Sequence, residues 1–502
     1  MSSLLPEGIS ALLFTALELM AAFFIFTIGT LAAVVLVMYI VDRNQTKQTI
    51  RRNYPVIGRF RYLFEHVGEF FRQYFFAMDR EELPFNRAQR SWVYRAAKNI
   101  DSTVAFGSSK DLTKPGSIIF VNTPYPTLEK DAAETAPVVI GPDCDKPFTA
   151  KSIVNISGMS YGALSKPAVQ ALSRGAKMAG CWMNTGEGGL SPWHLEGGCD
   201  IVFQIGTAKY GVRDANGNLS TEKLKAIAAH DNVRMFEIKL SQGAKPGKGG
   251  ILPAAKVSAE IAAIRGIPEG EASISPNRHP EITCAEDLLD MVALVRNTTG
   301  KPTGFKFVLG GPEWLDELFT AIKQRGVDSA PDFVTLDSAD GGTGAAPMSL
   351  IDDVGLPIRE SLPILVDKLI AYGLRERIRV VCSGKLITPS AVATAICVGA
   401  DFVVSARGFM FSLGCIQALQ CNKNTCPTGV TTHNPRLQKG LDPTNKAVRV
   451  CQYHHNLQHE VEVIAHSCGV AEPRLLRRHH ARRVMENGQS VSLDKLYQRE
   501  HL

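Results

Sequence analysis

The hydrophobic positions of the chain fall into three regimes. Residues 19–41 hold no charged side chain, and a helix of that length crosses a hydrocarbon core of roughly 30 Å. Glu7 and Glu18 precede the run, whereas a signal peptide has a positive n-region and a shorter apolar core. The run therefore predicts a retained transmembrane helix. From residue 54 to 100 aromatics and arginines alternate in helix-like text, as in Arg59-Phe-Arg-Tyr-Leu-Phe64 and Phe70-Phe-Arg-Gln-Tyr-Phe-Phe76. Both a membrane surface and the flank of a globular domain suit this pattern. Six prolines between Pro115 and Pro147 mark an irregular entry segment.

From about residue 151 short apolar runs alternate with helical periodicity. Strands are expected at 152–156, 181–184, 201–204, 234–238, 304–308, 333–336, 379–382 and 402–404. Helices are expected at 166–179, 221–230, 255–265, 285–296, 313–325, 362–372 and 388–398. Eight strands with intervening helices predict an α/β fold, a closed (β/α)8 barrel of the TIM type behind the transmembrane helix. The expected organisation is an anchor segment (1–41), a basic and aromatic juxtamembrane segment (42–110), the barrel (111–470) and a basic C-terminal tail (471–502).

The polar, glycine-rich motifs follow the C-terminal ends of these strands, where barrel enzymes build their sites. After the second strand comes Asn184-Thr-Gly-Glu-Gly-Gly189, which is either a solvated turn or a loop that brings backbone close to a flat ligand around Glu187. After the fourth strand, strand alternation sends Glu237 and Lys239 to one side. Lys239 is thus either a structural ion-pair partner or an active-site cation. Lys245, in the following glycine-rich loop, and Arg265 are further candidates for gripping an acidic substrate. The sixth strand runs into Asp337-Ser-Ala-Asp-Gly-Gly-Thr-Gly344, the seventh into Ser383-Gly-Lys385 and the eighth into Ser405-Ala-Arg-Gly-Phe409. Three glycine loops on one rim suit a phosphate-bearing cofactor.

Charge refines the placement of the chain. The formal net charge of +6 is accounted for by residues 42–100, with twelve Lys and Arg against six Asp and Glu. Arg43, Lys47, Arg51, Arg52, Arg59 and Arg61 follow the apolar span, so the positive-inside rule puts the N-terminus outside and the rest of the chain in the cytoplasm. The expectation is a single-pass protein of a cell's inner membrane. The same cations suit anionic lipid headgroups, and charge confined to one segment excludes a nucleic-acid binder. Eleven cysteines in a reducing compartment are thiols, metal ligands or catalysts rather than disulfides. Cys415, Cys421 and Cys426 lie within twelve residues, a soft-metal pattern whose spacings match neither zinc pairs nor ferredoxin runs. Such a triad holds a three-iron cluster, takes a fourth ligand from elsewhere, or is a set of inert buried thiols.

Taken in order, residues 184–189, 237–250, 340–347 and 415–429 resemble the signatures of the central and FMN-binding region of glutamate synthases. The resemblance covers roughly residues 142–435. It implies an FMN-binding (β/α)8 barrel with a [3Fe–4S] cluster on Cys415, Cys421 and Cys426. It also implies that 2-oxoglutarate and ammonia form 2-iminoglutarate, which takes hydride from reduced FMN to give glutamate. On this basis Glu187, Lys245 and Arg265 are substrate-site residues, Lys239, Gln242 and Lys306 surround flavin and substrate, and Gly341, Gly342, Gly384 and Gly408 belong to flavin or phosphate loops. Electrons then come from a separate donor, a reductase subunit or a ferredoxin.

The chain departs from the family pattern in several places. The anchor stands where the amidotransferase domain is usual, which implies ammonia from solution or from a separate amidotransferase. The glycine-repeat β-helix that normally follows the synthase domain is missing, and no GxGxxG follows a strand, so no nicotinamide domain is expected. Ile251 stands in place of a glutamine, Asn277-Arg-His-Pro280 replaces a stretch rich in proline and histidine, and Ser383 replaces the first glycine of a pair. Two other readings follow: the same cofactors acting on a different oxo or imino acid, and a membrane electron-relay subunit.

Overall fold

The computed structural model describes residues 7–497. The chain divides into two compact units, Met1–Arg87 and Ala88–Leu502, so the segment expected as one piece at 42–110 falls on both sides of the division.

In the first unit α1 (Glu7–Asn44) is continuous through the apolar run. It is long and apolar enough to cross a membrane, with a mean hydropathy of 2.5 in its most apolar window and none of that window buried. Two shorter helices follow, α2 (Thr49–Asn53) and α3 (Gly58–Phe71), and α3 runs on into a π turn at Arg72–Phe76.

The second unit is built on a closed barrel of eight parallel strands: β1 (Val154–Ile156), β2 (Met183–Asn184), β3 (Ile201–Ile205), β4 (Val233–Lys239), β5 (Thr303–Val308), β6 (Phe333–Asp337), β7 (Arg379–Ser383) and β8 (Phe402–Ser405). Each pairs in parallel with the next, and β8 pairs with β1 to close the ring. Both faces of such strands are covered, which is why they read as short, nearly unbroken apolar runs. The outer helices include α4 (Lys166–Ala179), α5 (Thr221–Ala228), α6 (Ala259–Arg265), α7 (Ala285–Thr299), α8 (Glu313–Arg325), α9 (Ile358–Ala371) and α10 (Pro389–Val398). Local chemistry sets their ends. The Ser165 hydroxyl accepts from the Ala168 N–H to cap α4, and Gly180 at φ 68° closes its last turn.

Two parts of the unit have no counterpart in the sequence expectations. A 25-residue helix, α11 (Pro443–Ser467), packs along α4 beyond the cysteine loop. At the N-terminal end of the barrel, the paired strands Val138–Ile140 and Phe148–Ala150 insert Ile140, Phe148 and Ala150 among Trp182, Val202, Met235, Phe333, Val381 and Phe402. That apolar plug closes the bottom and leaves the other rim for chemistry. The basic C-terminal segment is also folded, Ala481–Val484 pairing with Ile118–Phe120 and Ser490–Ser492.

Candidate active site

The interior of the barrel turns polar at the C-terminal ends of its strands. Glu237 on β4 is buried and accepts hydrogen bonds from Asn184 Nδ2 (2.8 Å), Gln204 Nε2 (2.7 Å) and Thr335 Oγ1 (2.5 Å), contributed by β2, β3 and β6. Lys239 and Lys306 stand opposite one another on β4 and β5. Two like charges so placed need separate counterions. Lys306 takes Asp337 at 3.1 Å, and Asp337 also accepts from the Gly243 N–H. Burial pushes the Lys306 ammonium down, but Asp337 and Glu237 outweigh it and leave its pKa raised. Lys239 takes Glu187 at 2.9 Å and donates to Gln242. Strand alternation set Lys239 beside Glu237; its ion-pair partner is instead the carboxylate of the β2 loop.

That loop carries Glu187 over the barrel mouth. Gly206 and Gly250 flank it so closely that a Cβ at Gly250 would lie 2.1 Å from Glu187 Oε1. Any side chain there would displace the carboxylate. Burial pushes the Glu187 carboxyl up, but the fields of Lys239, Lys245 and Arg265, with the Lys239 hydrogen bond, hold it at about 2. It is therefore an anion across the working pH range and not a proton donor. Lys245, in the glycine-rich loop after β4, is buried. Its ammonium has no ion-pair or hydrogen-bond partner among the described residues. Burial lowers its pKa to about 8, against the opposing pull of Glu187. Arg265 is also buried, stacked on the Tyr210 ring at 5.1 Å. It makes two long hydrogen bonds of 3.4 Å, to Ser273 Oγ and the Tyr161 carbonyl, and its Nε has no partner among the described residues. The two cations thus keep unused capacity for an anion.

These groups line a cleft with about 970 Å³ of empty space, its open solvent included, on which Cys421 also borders. A second part, about 560 Å³, is lined by Lys306, Gly342, Ser383, Gly384, Lys385 and Arg407. Gln204, Lys239, Gln242, Gly342 and Arg407 border both, so the two are parts of one groove. Its second part suits a flat, phosphate-bearing group. Gly384 has φ 107°, and a Cβ there would lie 2.3 Å from that of Ser338, so backbone alone forms this wall. Gly341 is buried one residue back from Gly342. Gly408 is placed differently: a Cβ there would meet the Tyr453 hydroxyl at 2.2 Å, so it serves the packing of α11.

The cysteine loop adjoins this groove. Cys415 and Cys426 are buried and Cys421 is half-buried. Between them Gln417, Leu419 and Asn424 adopt positive φ, 59°, 54° and 60°, a coiling that costs about 1–2 kcal/mol for each non-glycine residue. Donors face the sulfurs. Arg407 Nη1 lies 3.7 Å from Cys421 Sγ, and Thr428 Oγ1 lies 3.4 Å from Cys426 Sγ. Burial pushes the Cys426 thiol up, yet hydrogen bonds from Thr428 and Thr431 bring it below its ordinary value. Lys256 ties the loop down through the carbonyls of Cys421 (2.8 Å) and Thr431 (2.6 Å). Among the described residues no three His, Cys, Asp or Glu side chains converge as ligands of one ion. A polynuclear cluster spreads its thiolates over several irons and does not require that convergence. A coiled loop with three cysteines and sulfur-facing donors fits such a group.

Arg407, Gln204 and Lys256 join the site without having been singled out in the sequence. Gln204 carried a signal, a lone polar residue at the end of the apolar run Ile-Val-Phe-Gln-Ile. Arg407 sits in the eighth-strand loop, but its span from the groove to Cys421 depends on how the cysteine loop folds back.

Comparison with known proteins agrees with this architecture. Residues 98–471 match the family described as the conserved region in glutamate synthase. The chain is 42% identical to the glutamate synthase large subunit-like protein YerD of Bacillus subtilis (strain 168), over 94% of this chain and 97% of that protein. It is 35% identical to the archaeal glutamate synthase [NADPH] of Methanocaldococcus jannaschii over 64% of this chain, which spans 60% of that enzyme. The chain belongs to the glutamate synthase family.

Proposed function

We propose that this protein is a membrane-anchored oxidoreductase that makes glutamate from 2-oxoglutarate and ammonia. The observation that carries the reading is one groove shared by the Glu187–Lys239–Lys245–Arg265 ring, the glycine-walled second part and Cys421. FMN would be held by Lys306, Gln242, Gly342, Gly384 and Lys385, and a [3Fe–4S] cluster by Cys415, Cys421 and Cys426. Bound there, reduced FMN would supply the hydride for the imine of 2-oxoglutarate, and the cluster would carry electrons from a separate reductase or ferredoxin. Lys245 and Arg265 bind the substrate carboxylates. Glu187, held ionised, orients ammonia and then the imine nitrogen. Condensation of the 2-oxo acid with ammonia releases water, and the imine then takes up a hydride and a proton. Lys245, with a pKa of about 8, is the group of the ring able to exchange that proton near neutrality. Ammonia is the direct nitrogen donor, from solution or from a separate amidotransferase. The helix α1 spans the membrane once, with the barrel on the cytoplasmic side.

Binding of 2-oxoglutarate to the oxidised protein, read from the flavin absorbance, tests the substrate site. Lys245→Ala and Arg265→Ala should each weaken it ten- to hundredfold, since a charge-assisted hydrogen bond contributes roughly 1.5–3 kcal/mol, with flavin content unchanged. Unweakened binding in both variants would remove these residues from the substrate site. A second reading, with the same cofactors and a different 2-oxo acid, is favoured by Ile251, which puts an apolar side chain on the groove. Tighter binding of a less polar 2-oxo acid would select it.

The pH dependence of the same binding follows from Lys245. Below pH 8 its ammonium carries the charge that an anionic substrate needs; raising the pH through about 8 removes it. Binding should therefore weaken above pH 8, by up to about tenfold per pH unit, whereas Lys245→Arg should stay flat. Binding is the cleaner observable than turnover, because free ammonia increases over the same range.

A further inference from the structure

The helix α3 and its π turn carry an apolar stripe that no core among the described residues covers. Phe60, Leu63, Phe64, Val67, Phe70, Phe71 and Tyr74 recur at three- and four-residue spacing. Phe64 is 67% exposed and Phe75 74% exposed. The rings pack on one another, Phe60 against Phe64 at 6.3 Å and Phe71 against Phe75 at 5.4 Å. The other side of the helix carries Arg61, Glu65, Glu69 and Arg72. An exposed apolar surface this long marks an interaction site.

What covers it is fixed by its tether. Asp42 is the first charged residue after the apolar run 19–41, and it is fully buried. Its carboxylate accepts from Arg51 Nε at 2.9 Å, from Arg59 Nε at 2.8 Å and from the Val56 N–H at 3.0 Å. A carboxylate withdrawn from water needs such partners, and here they come from α2, the link that follows it and the first turn of α3. The start of α3 is thereby tied to the depth at which the apolar span ends. Arg43, Lys47, Arg52 and Arg61 lie around the tether with exposed side chains. Aromatic rings alternating with cations at that depth are the composition of a membrane–water interface.

We propose that residues 54–78 are a second membrane contact, lying on the cytoplasmic surface of the bilayer with the phenylalanine stripe at the headgroup–acyl boundary and the arginines among anionic headgroups. The proposal rests on the reading of α1 as a membrane span. Its function is to hold the segment that leads to the barrel against the membrane instead of letting it hang free.

The test uses the full chain in vesicles of phosphatidylcholine and phosphatidylglycerol, with a lipid-dissolved carbene photolabel, glutathione in the water as scavenger, and mass-spectrometric mapping. The expected result is labelling within 19–41 and also on residues 60–76. With Phe64, Phe71 and Phe75 all changed to Gln, labelling of 60–76 should fall to background while that of 19–41 persists. Labelling of 19–41 with an unlabelled 60–76 in the unaltered chain would overturn the proposal, and the stripe would then be covered by protein, a second copy included. Absence of label from both would overturn the anchor reading itself.

Discussion

Glu187→Gln should slow turnover about ten- to hundredfold while leaving flavin bound. The carboxylate pairs with Lys239 and lies in the fields of Lys245 and Arg265, and the amide that replaces it keeps the shape and loses the charge. A lost charge-assisted hydrogen bond to the nitrogen of ammonia or imine accounts for roughly 1.5–3 kcal/mol. The variant has a second signature, which separates an electrostatic role from a merely structural one. Glu187 raises the pKa of Lys245 against the effect of burial. Without that carboxylate the Lys245 ammonium is lost at lower pH, so 2-oxoglutarate binding should begin to weaken below pH 8 rather than above it. An unshifted binding profile, together with undiminished turnover, would show that Glu187 is a bystander.

Replacing any one of Cys415, Cys421 or Cys426 by Ser should abolish cluster iron and sulfide with FMN retained, because a hydroxyl is a poor ligand for iron–sulfur centres. The fold should survive, since Lys256 holds the loop through the carbonyls of Cys421 and Thr431, which the substitutions leave in place. Iron and acid-labile sulfide per flavin are the quantities to measure. Full retention in all three variants would make these cysteines ordinary packed thiols, and the left-handed residues between them would need another cause.

The barrel was legible because parallel strands buried on both faces leave short apolar runs that cannot be mistaken for amphipathic surface. Even so, β2 is only Met183–Asn184, shorter than expected. The helix α6 starts late, since a 3-10 turn at Ala254–Lys256 takes its first residues and aims Lys256 at the cysteine loop. The long α11 escaped notice because histidines and glutamines interrupt its apolar face: Tyr453 and His454 are buried there beside Val450 and Leu457. In the candidate site, residue types at strand ends pointed to Glu187 and Lys239, and spacing alone pointed to the cysteines. The burial of Lys245 and the pairing of Glu187 with Lys239 were not readable, because both arise where the loops after β2 and β4 fold over one mouth. Local sequence carries no record of which loop closes on which.

The proposed activity is reduction of the imine of 2-oxoglutarate in this groove. The most direct measurement follows the flavin absorbance of the pre-reduced, full-length protein in the absence of oxygen. Rapid reoxidation with one glutamate formed per flavin is expected when 2-oxoglutarate and ammonium are added together, and no reoxidation with either alone or with glutamine in place of ammonium. A flavin that stays reduced in the presence of both would contradict it.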